Sequence, residues 1–178
     1  MRKRISTQVE AKKTAGTYLI FQLAGQHMSV PVDRVREILD ARDIQPLPQA
    51  PKYIMGFIDL RGDSIMVIDL RTLLSEAARA DDLDTRIIVL MVNSGDKEQI
   101  LALRTDKVLE VASFDNDRIE PIETGTILNW DRRIVSGLAR REGQYISVLD
   151  LDRMMSTEVV ASLKAAHKEL DANTAVNA

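Results

Sequence analysis

Residues able to do chemistry are scarce in this chain, and each candidate can be tested in turn. A nucleophilic hydrolase needs a Ser or Cys beside a His base and an orienting acid, yet there is no cysteine and the only histidines are His27 and His167. His27 lies beside an apolar run and His167 beside the apolar face of a helical pattern, so both read as ordinary surface or boundary histidines. No serine sits in a G-x-S-x-G turn, and neither a G-x-x-x-x-G-K-[ST] loop nor a glycine-rich dinucleotide turn occurs. Asp115, Asn116 and Asp117 open like a calcium loop, but Glu120 stands where Gly is required and Thr126 where the closing Glu belongs. Asp81, Asp82 and Asp84 have the chemistry to gather a cation, although a run of acids in a linker is usually a solvated stretch. No catalytic, cofactor or metal site emerges. What remains is Arg61, next to Gly62. An Arg at a turn is either a solubilising charge or a planar fork that holds carboxylate or backbone groups across an interface.

The elements that position these residues are mostly strands. The chain has 178 residues, 45% of them hydrophobic but only 4% aromatic, so a core must be built from Val, Ile, Leu and Met. No run of eighteen apolar residues offers a membrane-spanning helix. The start MRKRISTQVEAKK is basic without an apolar stretch behind it, unlike a secretory signal. The absence of cysteine reads most simply as a cytoplasmic chain. Thr17 to Leu23 and Arg86 to Asn93 are branched-rich runs expected to be strands buried on both faces. Further strands are expected at 27–32, 56–60, 64–70, 99–104, 108–114, 134–140 and 144–149, a density that indicates barrels or a sandwich. QPLPQAPKY, with prolines 46, 48 and 51, is a connector. Met155, Val159, Leu163, Ala166 and Leu170 share one face of a terminal helix over about 156–170, with Ser156 or Thr157 as its cap. Residues 1–16 and 171–178 read as flexible tails.

The chain also resembles itself. Shifting residues 54–74 by 81 positions lays IMGFIDLRGDSIMVIDLRTLL over VSGLARREGQYISVLDLDRMM without a gap. Gly56, Gly62, Ile65, Val67, Asp69 and Leu70 meet identical residues, where composition alone gives about one match. A shift of 73 brings Asp33, Val35 and Glu37 onto Asp106, Val108 and Glu110. The expectation is two copies of one hairpin-rich barrel of roughly five strands, at about 17–75 and 86–156, joined by the acidic linker SEAARADDLD. Gly62 and Gly143 suit tight hairpins that need positive φ, and Gly56 and Gly137, a second repeated pair, are likewise expected to be structural-turn glycines. Asp69 and Asp150 suit caps of short helical turns. At the hairpin the copies differ, one reading Leu60-Arg61-Gly62 and the other Arg141-Glu142-Gly143.

Two stretches carry a family resemblance. I-x-G-x-x-x-L-R-G-x-x-I-x-V-x-D-L-R-x-x-L from Ile54 to Leu74 resembles the hallmark of the CheW domain, and VPVDRVREIL and GLARREGQYISVLDLDRMM are similar to its flanking pieces. The resemblance covers about residues 16–165. It implies a mainly β fold, two five-stranded SH3-like β-barrels with short helical turns and a C-terminal α-helix, without catalytic activity or cofactors. It further implies an adaptor that couples the cytoplasmic tip of methyl-accepting chemotaxis receptors to the regulatory domain of a CheA-type histidine kinase, cytoplasmic but recruited to membrane-associated receptor arrays. Carried onto this sequence, the receptor-binding groove between barrels would use Val35, Glu37, Ile38 and Arg61 with Val108 and Val111, and Gly56 and Gly62 would shape the backbone beside Arg61. The family usually has Asn where this chain has Asp59, an acid placed to pair with Arg61 or to tune partner choice. The rival expectation is a β-barrel binder of single-stranded nucleic acid. It needs exposed aromatics among Lys and Arg, whereas the net charge is −3 and Tyr18, Phe21 and Phe57 read as core.

Overall fold

The structure, a computed structural model, describes residues 16–122 and 134–154. The expected terminal helix, both tails, His167 and Thr126 lie outside the described residues. Eleven strands are described, β1 (Tyr18–Leu23), β2 (Gln26–Pro31), β3 (Val35–Asp40), β4 (Ile54–Leu60), β5 (Asp63–Asp69), β6 (Arg86–Ser94), β7 (Lys97–Thr105), β8 (Lys107–Ala112), β9 (Glu120–Pro121), β10 (Val135–Arg141) and β11 (Gln144–Leu149). A 3-10 turn, Val32–Arg34, leads into β3, and one-turn helices α1 (Leu70–Leu73) and α2 (Leu151–Met154) follow β5 and β11. Asp69 starts α1 as its cap, accepting from the Arg71 N–H at 3.2 Å. Asp150 accepts from the Arg153 N–H at 2.9 Å in α2.

The strands form two sheets, a six-stranded one ordered β8-β1-β2-β11-β10-β9 and a five-stranded one ordered β3-β6-β7-β5-β4. The duplication reappears in the pairing registers. β3 on β6 matches Val35 with Leu90 and Glu37 with Val89, one residue bulging between them, just as β8 on β1 matches Val108 with Phe21 and Glu110 with Ile20. β4 on β5 and β10 on β11 share a second bulge, before Gly56 and Gly137.

The sequence copies are nevertheless not the sheets, which corrects the expectation of one barrel per copy. β1 and β2 of the first copy join the second copy's sheet through a parallel β2–β11 pair, and β6 and β7 join the first copy's sheet through a parallel β5–β7 pair. A parallel pair cannot be closed by a tight hairpin and needs a crossover. Exchanging the N-terminal hairpins supplies that crossover twice. Overlay of the copies shows which residues correspond, but not from which segment each strand takes its neighbour.

The exchange explains the unbroken apolar runs. In β1, Leu19, Phe21 and Leu23 enter a central cluster that draws on both sheets, while Tyr18 and Ile20 pack inside the six-stranded sheet. In β6, Ile88, Leu90 and Val92 enter the same central cluster, while Ile87 and Val89 pack inside the five-stranded sheet. Both faces are buried, so alternation disappears. β3 was not expected as a strand. Glu37 is half-buried and Ile38 exposed, and a bulge between Val35 and Glu37 interrupts the alternation, which hides the period of two.

Candidate functional site

β3 is an edge strand of the five-stranded sheet, and the opposite edge is β4. The β4–β5 hairpin turns through Arg61 (φ 56°) and Gly62 (φ 89°), two positive φ values in succession, as a tight two-residue hairpin requires. A non-glycine residue in this region is strained by about 1 kcal/mol or more. The turn is capped by Asp59, whose Oδ1 accepts the Gly62 N–H at 3.0 Å. An Asn would offer the same oxygen, so Asp59 preserves the turn.

From this turn Arg61 reaches across the sheet seam to Glu37 on β3. Nη1 donates to Oε1 at 3.0 Å and Nη2 to Oε2 at 3.2 Å, a two-pronged geometry that fixes the guanidinium plane. Contact between opposite edges shows that the sheet is curled onto itself. Arg61 nonetheless remains 71% exposed.

The six-stranded sheet repeats the device. Glu110, on edge strand β8, accepts from Arg141 Nε at 3.2 Å, and Arg141 also lies 3.6 Å from Glu142. Glu110 raises the pKa of Arg141 by hydrogen bond and charge. The turn here is Glu142-Gly143, and Asp115 caps it by accepting both N–H groups, at 2.8 and 3.1 Å. Those backbone hydrogen bonds, from Gly143 and Glu142, hold the Asp115 carboxyl below its usual range. Sequence reasoning missed the Glu110–Arg141 pair. The shift of 73 placed Glu110 on Glu37, but the arginine stands one position earlier than the column of Arg61.

The six residues expected to form one groove fall on two faces. Val35, Ile38, Val108 and Val111 pair with Leu90, Ile88, Phe21 and Leu19, all members of the central cluster, so they share the face turned between the sheets. Val35 and Val108 cover that cluster, whereas Ile38 and Val111 stay 41% and 53% exposed. Glu37 pairs with Val89, inside the five-stranded sheet, so Glu37 and Arg61 stand on the other face of β3. Gly56 and Gly137 are not in turns but in strands. A Cβ on Gly56 would stand 1.9 Å from the Gln45 carbonyl oxygen, and one on Gly137 would stand 2.6 Å from that of Glu120.

The aspartates of the linker are paired with bases. In the linker, Asp81 binds Arg104 at 2.6 Å, Asp82 pairs with Arg79, and Asp84 lies 3.3 Å from Lys107. Arg104, 3% exposed, also donates to the Arg79 carbonyl at 2.6 Å. The linker is solvent-exposed, as a run of acids in a linker is expected to be, and is also pinned by these ion pairs. Among the described residues no group of three or more His, Cys, Asp or Glu could hold a metal ion, and no helix is long and apolar enough to cross a membrane.

Comparison with known proteins agrees with this geometry. The model of the CheW-like domain matches residues 17–159, most of the chain. The chain belongs to the CheW-like domain family. It is 27% identical over 140 residues to the chemotaxis protein CheW of Rhizobium meliloti, covering 79% of this chain and 87% of that one. To the chemotaxis protein CheW of Treponema pallidum it is 28% identical over 147 residues, covering 80% and 84%. The crystal structure of the scaffolding protein TtCheW from Thermoanaerobacter tengcongensis superposes with a TM-score of 0.70 at 28% identity, covering 80% of this chain and 94% of that one. Membership makes the chain a non-enzymatic scaffold of chemotaxis signalling, built on the paired SH3-like barrels of the CheW-like fold.

Proposed function

We propose that this CheW-like chain couples the cytoplasmic tip of a methyl-accepting chemotaxis receptor to the regulatory domain of a CheA-type histidine kinase, working in the cytoplasm and recruited to membrane-associated receptor arrays. The observation that carries the receptor half is Arg61, exposed yet held in one plane by Glu37 on a strained, capped turn. A guanidinium fixed before binding loses little freedom on meeting a partner. A receptor helix lying along the free edge of β3 would meet Ile38 on one face and Arg61 on the other, with Val111 extending the apolar side and Val35 and Val108 supporting it. The nucleic-acid reading is not favoured, because Tyr18, Phe21 and Phe57 are all core residues.

Calorimetric titration of a receptor-tip fragment into the native chain and into Arg61→Ala tests this reading. Arg61→Ala is expected to weaken binding by about 1–3 kcal/mol, roughly ten- to a hundredfold in Kd, without a comparable loss of melting temperature. Unchanged affinity with an intact fold would refute the role of Arg61. A large loss of melting temperature with unchanged affinity would assign Arg61 to the seam alone.

A further inference from the structure

Two polar clamps tie the sheets together, and they are built at corresponding stations with opposite polarity. In the first, Arg71 of α1, at the end of the five-stranded sheet, donates Nε to Asp106 Oδ1 at 2.7 Å and Nη2 to Oδ2 at 2.6 Å. Asp106 Oδ2 also accepts the Ala24 N–H at 2.8 Å, from the β1–β2 turn of the other sheet. In the second, Asp152 of α2, at the end of the six-stranded sheet, accepts from Arg34 Nη2 at 2.9 Å and from the Asn93 N–H at 3.0 Å, near the β6–β7 turn of the other sheet. Arg34 also donates to the Met91 carbonyl at 3.2 Å and to the Asn93 amide oxygen at 3.2 Å when that amide faces it.

Arg71 and Asp152 occupy the same position in the overlay of the copies, and Asp106 and Arg34 each stand just before the corresponding strands β8 and β3. The carboxylate has moved from the strand side of one clamp to the helix side of the other. Their surroundings differ more than their geometry does. The side chains of Arg71 and Asp106 are 12% and 8% exposed, those of Arg34 and Asp152 27% and 45%. A shielded two-pronged pair keeps its attraction, whereas an exposed single-pronged pair competes with water and salt.

We infer that the contact between the barrels is hinged: it yields first at the Arg34–Asp152 clamp and is held at the Arg71–Asp106 clamp. Leu151 and Met154 of α2 and Val92 of β6 stay seated in the central apolar cluster, which confines the opening to the polar contacts of Asp152 with Arg34 and the Asn93 N–H. Because Arg34 immediately precedes β3 and Asp106 immediately precedes β8, the hinge makes β3 the adjustable edge strand and β8 the fixed one. This follows from the clamps themselves and does not depend on which partner binds.

The amides of Ala24 and Asn93 report on the two clamps, since each donates to its carboxylate. Hydrogen exchange of the full chain by NMR, as protection relative to the intrinsic rate, is expected to show Asn93 exchanging at least roughly tenfold faster than Ala24. Raising the salt concentration should accelerate Asn93 and leave Ala24 unchanged. Asp152→Asn leaves the buried clamp intact, and should speed Asn93 by roughly tenfold or more without affecting Ala24. Equal protection at the two amides, or acceleration of both alike in Asp152→Asn, would show one rigid unit and overturn the hinge.

Discussion

Two ion pairs close the seams of the two barrels, and they do so with different geometry. Glu37 and Glu110 are register-equivalent residues on bulged edge strands. Glu37 is met by an arginine at the turn itself, 71% exposed, while Glu110 is met by the last residue of β10, 32% exposed and shared with Glu142. Closing a seam therefore does not require an arginine at the turn, because one placed a residue earlier serves as well. What the first copy has and the second lacks is not the ion pair but its presentation, a guanidinium that remains open to solvent after its carboxylate is satisfied.

The halves should separate most at their clamps. Asp106→Ala leaves Arg71 and the Ala24 N–H without their acceptor in a shielded site, and is expected to cost about 3–5 kcal/mol. The corresponding Asp152→Ala should cost about 0.2–1 kcal/mol. Urea unfolding monitored by circular dichroism distinguishes the two, and equal costs would erase the difference between clamps.

At the bulges, Gly56→Ala drives a methyl into the Gln45 carbonyl at φ 136° and is expected to cost about 3 kcal/mol or more, whereas Gly137→Ala, with φ outside the positive region, should cost about 1–3 kcal/mol. Gly62→Ala has open space around it and should cost only about 1–2 kcal/mol, from positive φ alone. Thermal melts of the three variants give the order, and a Gly62→Ala loss as large as that of Gly56→Ala would contradict it.

Acid sharpens the same contrast. Burial pushes the Asp106 carboxyl up, but the Arg71 hydrogen bond, the Ala24 N–H and the charges of Arg71 and Arg79 together outweigh it, leaving the pKa below its ordinary 3.8. A pKa lower in the folded than in the unfolded chain stabilises fully above the unfolded value and is lost as pH falls through the folded one. The native chain should therefore lose stability as pH falls below about 4. In Asp106→Asn that part of the acid dependence should be missing, and an unchanged acid limb in urea unfolding from pH 6 to 2.5 would contradict it.

Much of this was legible in the residues. The copies, their tight turns and the short capped helices repeat at fixed spacing, so the sequence displays them twice. β1 and β6 announced burial on both faces by losing their alternation. β3 escaped because the charged Glu37 is half-buried, the apolar Ile38 is exposed, and a bulge between Val35 and Glu37 interrupts the alternation. The exchange of hairpins was not legible, since correspondence between copies carries no information about which strand becomes a neighbour. The clamps escaped for a related reason: Arg71 and Asp106 lie 35 residues apart, and Arg34 and Asp152 lie 118 apart. Nor could the sequence separate the apolar four of the expected site from Glu37 and Arg61, because the bulge at the start of β3 changes which residues share a face.

The smallest effect expected on binding is that of Arg141→Ala, whose guanidinium is occupied by two carboxylates. Side-by-side titration of Arg61→Ala and Arg141→Ala with the same receptor-tip fragment is therefore the direct test of presentation as the distinguishing feature. Arg61→Ala should weaken binding about ten- to a hundredfold, and Arg141→Ala by less than about threefold. Equal losses for the two variants, or none for Arg61→Ala, would contradict it.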